Sequence, residues 1–269
     1  MNGLGFLGAG NMGEAMIRGV IYAKLYSADR VIVYDTEEGR SEALRQCFGI
    51  VVASSVNELL SLCDIIIVAV KPQVLQHVLD SIPKEAARGK TFVSVVAGVK
   101  VAVFERALGE GVKVVRTMPN TPSQVGMGST GIYFGADTDS AIRKRVLSVF
   151  SSFGEVAEMP REDLMDIVTA LSGSGPAYVF MFAEAMADAA VRAGMGRSEA
   201  YLLASATMEG AARMIRETGK HPAELKDMVM SPGGTTAAGV EALERGAFRA
   251  TVMDAVLSAW RRCRELGSQ

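Results

Sequence analysis

The chain has 269 residues, 49% of them apolar, and a formal net charge of −2. That is enough apolar material for one large domain or two smaller ones, and it leaves no basic field to hold nucleic acid. No apolar run has the length and purity of a membrane span; the longest candidate, Ala177 to Met195, carries Glu184, Asp188 and Arg192. Cys47, Cys63 and Cys263 have neither disulfide nor metal spacing. They read as reduced thiols, packed in or near the core of a cytoplasmic protein. The chain opens directly on strand sequence, so no signal peptide is expected.

In chain order, the apolar run Leu4–Leu7 leads into Gly8-Ala9-Gly10-Asn11-Met12-Gly13 and then into the helix-like Glu14–Arg18. That is strand, glycine-rich turn, helix. The first glycine permits a tight turn, the second lets backbone approach a pyrophosphate, and the third lets helix pack on strand. The helix N-terminus offers free N–H groups and partial positive charge to phosphate. A second strand, Arg30–Asp35, ends in a carboxylate. Asp35 suits the adenine-ribose hydroxyls of NAD and would repel a 2′-phosphate, which Arg40, five residues on, could offset.

Helical sequence follows over Glu38–Phe48, then a short strand Ile50–Val52 and a helix ending near Leu62. Ile65–Val70 is a continuous apolar run, as a parallel strand covered on both faces would be. Lys71-Pro72 stops it, and Pro72 can start the next helix. Further strands are expected at Thr91–Val96, Val112–Arg116 and Gly131–Phe134. The alternation predicts a doubly wound parallel sheet to about residue 158. Ligands of such sheets lie beyond the carboxyl ends of the strands. The loops of interest are therefore Gly8–Gly13, Asp35–Arg40, Ala69–Gln73, Ala97–Lys100 and Met118–Pro122. In the last, Asn120 and Thr121 offer polar side chains between two stiffening prolines.

From Arg161 onward the pattern turns helical, with apolar residues at three- and four-residue spacing through Leu164–Leu171, Tyr178–Met195, Ala200–Ile215, Leu225–Met230 and Val252–Leu257. Glu184, Asp188 and Arg192 mark one wet face of the longest helix, and its other faces are more apolar than a domain of this size needs. A subunit interface between interleaved helices is the expectation. Domains are placed at 1–160 and 161–269. Two loops in the helical part look fit for an anionic substrate. Ser172-Gly173-Ser174-Gly175-Pro176 and Ser231-Pro232-Gly233-Gly234-Thr235-Thr236 each open a helix whose free N–H groups would suit a carboxylate. His77 and His221 read as structural or solvated.

These residues carry a resemblance. Gly5–Gly13, Ala69-Val70-Lys71-Pro72, Arg116–Pro122, Leu171–Tyr178 and the run from His221-Pro222 through Leu225-Lys226-Asp227 to Ser231–Thr236 occur in the order in which pyrroline-5-carboxylate reductases carry them. The chain resembles that family over nearly its whole length. The resemblance implies a Rossmann-type domain, a helical dimerisation domain, and dimers that assemble into a ring of five. It implies NADPH or NADH as cofactor and 1-pyrroline-5-carboxylate as substrate, in a site built from both subunits. The cofactor set is Gly8, Ala9, Gly10, Asn11, Met12, Gly13, Asp35, Asn57, Ala69, Val70, Lys71, Pro72, Ala97, Gly98 and Asn120. The substrate set is Ser231, Gly233, Gly234, Thr235 and Thr236. Thr236 reaches toward the imine nitrogen, and Ser172 and Ser174 lie beside the nicotinamide. Asp35 departs from many NADPH-preferring members, which carry a small hydroxylated or neutral residue there.

The reaction expected is hydride transfer to the C=N carbon, giving proline; a protonated imine needs no strong acid, which fits a site without an obvious His, Lys or Cys. A β-hydroxyacid dehydrogenase has the same two-part layout, but it wants a lysine on the long helix, and no lysine occurs between Lys144 and Lys220. A non-catalytic nucleotide-binding scaffold is the remaining alternative; the intact loops at Ser172–Pro176 and Ser231–Thr236 argue against it.

Overall fold

A computed structural model of the chain describes residues 3–135 and 138–267. Two compact units emerge, one made of the residues up to Ser174 together with those from Ala259 onward, the other of Gly175–Ser258. The first unit holds strands β1 (Gly3–Leu7), β2 (Val31–Tyr34), β3 (Val51–Val52), β4 (Cys63–Val68), β5 (Thr91–Ser94), β6 (Lys113–Met118), β7 (Gly128–Phe134) and β8 (Gly154–Glu158). Its helices are α1 (Asn11–Tyr22), α2 (Glu38–Phe48), α3 (Val56–Leu62), α4 (Pro72–Asp80), α5 (Lys84–Ala87), α6 (Val101–Leu108), α7 (Ser140–Ser151) and α8 (Leu164–Val168). The second unit holds α9 (Gly175–Arg192), α10 (Arg197–Thr218), α11 (Pro222–Val229), α12 (Thr235–Arg245) and most of α13 (Phe248–Leu266).

The sheet has the order β3-β2-β1-β4-β5-β6-β7-β8. Period-two alternation builds it. Ile65 and Ile67 of β4 face Phe6, Val93 and Val115, under Met16, Ile17 and Val20 of α1 and Phe150 of α7. Ile66 and Val68 face the other way, with Leu7, Phe92 and Val114, against Leu59 of α3, Leu75 and Leu79 of α4 and Phe104 of α6. Both faces of the central strands are thus buried, which is why the run is apolar throughout.

Two features differ from the sequence-based expectation. β7 runs antiparallel to β6, from Val115 opposite Phe134 to Met118 opposite Gly131, while the other pairs are parallel. The link from Pro119 to Met127 is too short for the crossover that a parallel partner needs. β8, which was not expected, pairs with β7 at the sheet edge; Glu155, Ala157 and Glu158 are exposed, so it shows no apolar run.

The second unit has a thin core. Ala187, Ala200 and Ala204 form its buried cluster, where small side chains let α9 and α10 pack closely. Phe180, Met181 and Leu202 are 63%, 69% and 67% exposed on the single chain. Glu184, Asp188 and Arg192 are exposed as expected. No helix among the described residues is long and apolar enough to cross a membrane.

Candidate active site

Strand order reverses between β1 and β4, and the glycine-rich turn sits at that reversal. Leu7 O accepts from the Ala69 N–H at 2.8 Å, joining the exits of the two strands. Gly8 has φ +107°, and a Cβ there would lie 2.7 Å from Ala69 O. A Cβ on Gly13 would lie 2.5 Å from Gly8 O. Both positions therefore exclude a side chain. Gly10 is different: an added Cβ meets nothing closer than Arg40 Nη1 at 4.0 Å. It is the N-cap of α1 and offers no side-chain cap. The first turn of α1, with Asn11, Met12 and Gly13, presents its backbone N–H groups on that open side.

Asp35 closes the turn from β2. Its Oδ2 accepts from the Ala9 N–H at 2.7 Å and its Oδ1 from the Glu37 N–H at 2.9 Å. A cavity of about 550 Å³ opens beside it, lined among others by Tyr34, Thr36, Gly39, Val52 and Ser54. Arg40, which could have offset the Asp35 charge, is paired with Glu37 at 2.9 Å. An open glycine, an uncapped helix start and an acid-lined cavity fit a dinucleotide's pyrophosphate and ribose. Of the other expected cofactor residues, Ala69 and Val70 are half-buried at the exit of β4. Lys71 is the exposed N-cap of α4, with Pro72 at its first position. Ala97 is exposed, and Gly98 is half-buried at φ +76°. Asn57 is exposed in the first turn of α3.

Asn120 is 8% exposed at the exit of β6. Its Oδ1 accepts from the Ser129 N–H at 2.9 Å, and its Nδ2 donates to Ser172 O at 3.0 Å. The expected loop around Ser172 is not a free helix start. Residues Thr169–Gly173 form a π-helical turn between α8 and α9, and Ser174 N donates to Thr169 O at 2.9 Å. Small residues let the backbone stay helical where the Gly-Ser-Gly-Pro pattern read as a break. The Ser172 hydroxyl donates to Val168 O at 3.0 Å and keeps its lone pairs; Ser172 and Ser174 are both half-buried.

Sequence reasoning treated Arg116 as part of a motif and missed its role. It is 3% exposed on β6, 2.7 Å from Asp166 of α8 and 3.5 Å from Glu162. Glu162 in turn accepts from the Val101 N–H at 2.7 Å. A buried arginine at a strand position signals distant carboxylates, but which ones could not be read.

In the second unit, Ser231–Gly234 forms a tight turn closed by the Gly234 N–H donating to Ser231 O at 3.0 Å. Gly233 takes φ +68° after Pro232, as a type II turn requires. Gly234 is then the N-cap of α12 and gives no side-chain cap. The Gly234 amide, expected to face substrate, is engaged within the turn. Thr235 is exposed and Thr236 half-buried in the first turn of α12, while Ser231 is exposed.

The histidines have structural or solvated places. His221 caps α11, its Nδ1 accepting from the Ala223 N–H at 3.2 Å, and His77 is exposed on α4. All three cysteines are free; Cys63 and Cys263 are buried, but Cys47 is exposed, contrary to the expected packing. Burial and the neighbouring Asp64 push the Cys63 thiol up to about 12, and burial and Asp166 raise that of Cys263. Neither is a nucleophile at neutral pH.

Comparison with known proteins agrees with this layout. Residues 162–266 match the family model described as pyrroline-5-carboxylate reductase dimerisation, and residues 3–98 match that described as NADP oxidoreductase coenzyme F420-dependent. The pyrroline-5-carboxylate reductase of Methanosarcina acetivorans is 44% identical over 99% of this chain and 98% of its own. The structure of the Coxiella burnetii enzyme superimposes with a TM-score of 0.93 at 32% identity, covering 98% of each chain. That of Plasmodium falciparum, with NADP bound, gives 0.88 at 35% identity over 99% of this chain and 98% of its own. The chain belongs to the pyrroline-5-carboxylate reductase family.

Proposed function

We propose a residue-by-residue division of labour for the family's reaction, the reduction of 1-pyrroline-5-carboxylate to L-proline, the final step of proline biosynthesis. The chain is an NAD(P)H-dependent oxidoreductase acting on a C=N bond. The first turn of α1 with Gly8–Gly13 holds the pyrophosphate, and Asp35 with Asn57 holds the adenosine end. Ala69–Pro72 and Ala97–Gly98 border the nicotinamide, with Ser172 and Ser174 beside it. Bound there, the reduced nicotinamide supplies the hydride that reaches the imine carbon.

The turn Ser231–Gly234 carries the substrate assignment. It delivers an uncapped helix N-terminus with the Thr236 hydroxyl in the first turn. The Gly233, Thr235 and Thr236 N–H groups hold the substrate carboxylate, with Ser231 beside them. Gly234, its own N–H spent on the turn, shapes the approach. The Thr236 hydroxyl hydrogen-bonds the ring nitrogen and holds the imine in place. Thr236→Ala tests this: kcat/KM for 1-pyrroline-5-carboxylate falls roughly 10- to 100-fold, as for loss of one hydrogen bond to a charged group. An unchanged kcat/KM removes Thr236 from the role.

Functionally, we place the division at 160/161; the dimerisation match at 162–266 supports that reading, while residues 161–174 and 259–267 pack with the sheet unit. The exposed apolar side chains of α9 and α10 support a homodimer. A ring of five dimers is the larger assembly, and a cytoplasmic location suits the three free thiols.

A further inference from the structure

We infer that Asn120 is a positioning residue: its buried amide sets the Ser172–Ser174 turn in the geometry the reaction uses. The inference rests on the reading that this turn borders the nicotinamide.

Proline chemistry creates the need. A helical carbonyl is ordinarily met by the N–H four residues on. For Ser172 that residue is Pro176, which has no N–H. The Asn120 Nδ2 donates to Ser172 O instead, at 3.0 Å. The other end of the same amide accepts from the Ser129 N–H at 2.9 Å, at the start of β7. The amide matches this pair, one end donating to a carbonyl and the other accepting from an N–H, whereas a carboxylate could only accept. The bond spans 52 residues of sequence and joins the exit of β6 to a π-helical turn, a feature concentrated at functional sites.

Two neighbouring observations fix the same segment. The Met118 side chain of β6 packs onto Gly173, where an added Cβ would lie 2.7 Å from Met118 Cε. Arg116, two residues before Met118 on β6, holds Asp166 on α8 at 2.7 Å. Arg116 and Asn120 thus grip the stretch leading to Ser174 at both ends, and together they account for two of the polar residues of the Arg116–Pro122 motif.

The test uses the full-length enzyme with Asn120→Asp, near-isosteric but without the donor, and Asn120→Ala as a second variant. Three quantities are read: amide hydrogen exchange of the peptide covering 169–176 without ligand, the Kd for NADPH and NADH, and kcat separately from KM. Faster exchange confined to that peptide is expected, with a kcat lower by about 10- to 100-fold and little change in KM, as for a small misplacement of reacting groups; the Kd stays within twofold of the parent, because both amide ends are spent on Ser172 and Ser129 in place of the cofactor contact that the family resemblance implies for Asn120. Unchanged exchange in both variants overturns the brace. A raised Kd with unchanged exchange overturns it in favour of direct cofactor contact. Faster exchange with unchanged kcat keeps the brace as a structural bond but overturns the placement of the Ser172–Ser174 turn beside the chemistry, and with it the positioning role. A general fall in melting temperature with faster exchange throughout the sheet would make Asn120 a stability residue and overturn the inference as well.

Discussion

Ala9 and Asp35 are tied by a 2.7 Å hydrogen bond from the Ala9 N–H to Asp35 Oδ2, with the second oxygen bound to the Glu37 N–H. The carboxylate therefore fixes the glycine-rich turn and also presents negative charge to the ~550 Å³ cavity beside it. The one nearby arginine of that loop, Arg40, is already paired with Glu37. A 2′-phosphate would meet uncompensated charge, whereas ribose hydroxyls would find acceptors. Asp35→Ser should raise the ratio of kcat/KM for NADPH to that for NADH by about tenfold, equivalent to about 1.4 kcal/mol. Steady-state kinetics with both cofactors give the ratio; an unchanged value removes Asp35 from cofactor choice.

Gly13 has no room for a methyl group, since its Cβ would lie 2.5 Å from Gly8 O. Gly13→Ala must push α1 away from the turn, at about 1–3 kcal/mol. Dinucleotide affinity should fall about 5- to 100-fold, measured by titration of nicotinamide fluorescence, with the helical unit's circular dichroism unchanged. Wild-type affinity would mean that the α1 start does not hold the pyrophosphate.

That turn was legible in the sequence because Gly8 and Gly13 leave no room for a side chain while Gly10 stands open at the helix start, and the central strands because burial on both faces leaves an unbroken apolar run. Where the polypeptide obeys longer-range constraints, the pattern was silent. β8 is half-solvated, so Glu155 and Glu158 hid it. The direction of β7 follows from the length of a link, which strand periodicity does not register. The π-helical turn at Thr169–Gly173 was hidden by glycines and a proline that also suit a loop. The partner of Ser172 O comes from Asn120, and those of Arg116 from Glu162 and Asp166, all distant in sequence. The place of Thr236 at the start of a helix was readable from its motif, but the engagement of the Gly234 amide needed the backbone turn.

Asp64 on β4 and Arg145 on α7 form a two-pronged pair, at 2.5 and 2.9 Å, with the Tyr26 hydroxyl 3.0 Å from Arg145 Nη2. Burial raises the Asp64 pKa, but the Arg145 hydrogen bonds and charge outweigh it, and the net shift is below the ordinary 3.8. A lowered folded-state pKa gives stability that is present above the unfolded value and is lost as pH falls through the folded one. Asp64→Asn should therefore lower the melting temperature at pH 7, by an amount corresponding to about 1 kcal/mol for a half-buried pair. The gap from wild type should narrow as pH falls below 3.8. A gap independent of pH would assign the loss to packing.

Met181 and Leu202 are strongly exposed on α9 and α10 of the single chain. Placing a glutamate at both, Met181→Glu with Leu202→Glu, should convert dimer to monomer in sedimentation or light scattering, with activity lost together with the assembly, because apolar helix faces of this kind are covered in obligate interfaces. A dimer of unchanged mass and activity would place the interface elsewhere.

Reduction of the imine by this chain is read directly as the loss of reduced-nicotinamide absorbance on adding 1-pyrroline-5-carboxylate to the purified protein, run in parallel with NADPH and NADH. Substrate-dependent oxidation with formation of L-proline is expected, with a usable rate with NADH because of Asp35. Folded protein that binds dinucleotide but oxidises neither cofactor in the presence of the imine would contradict that expectation.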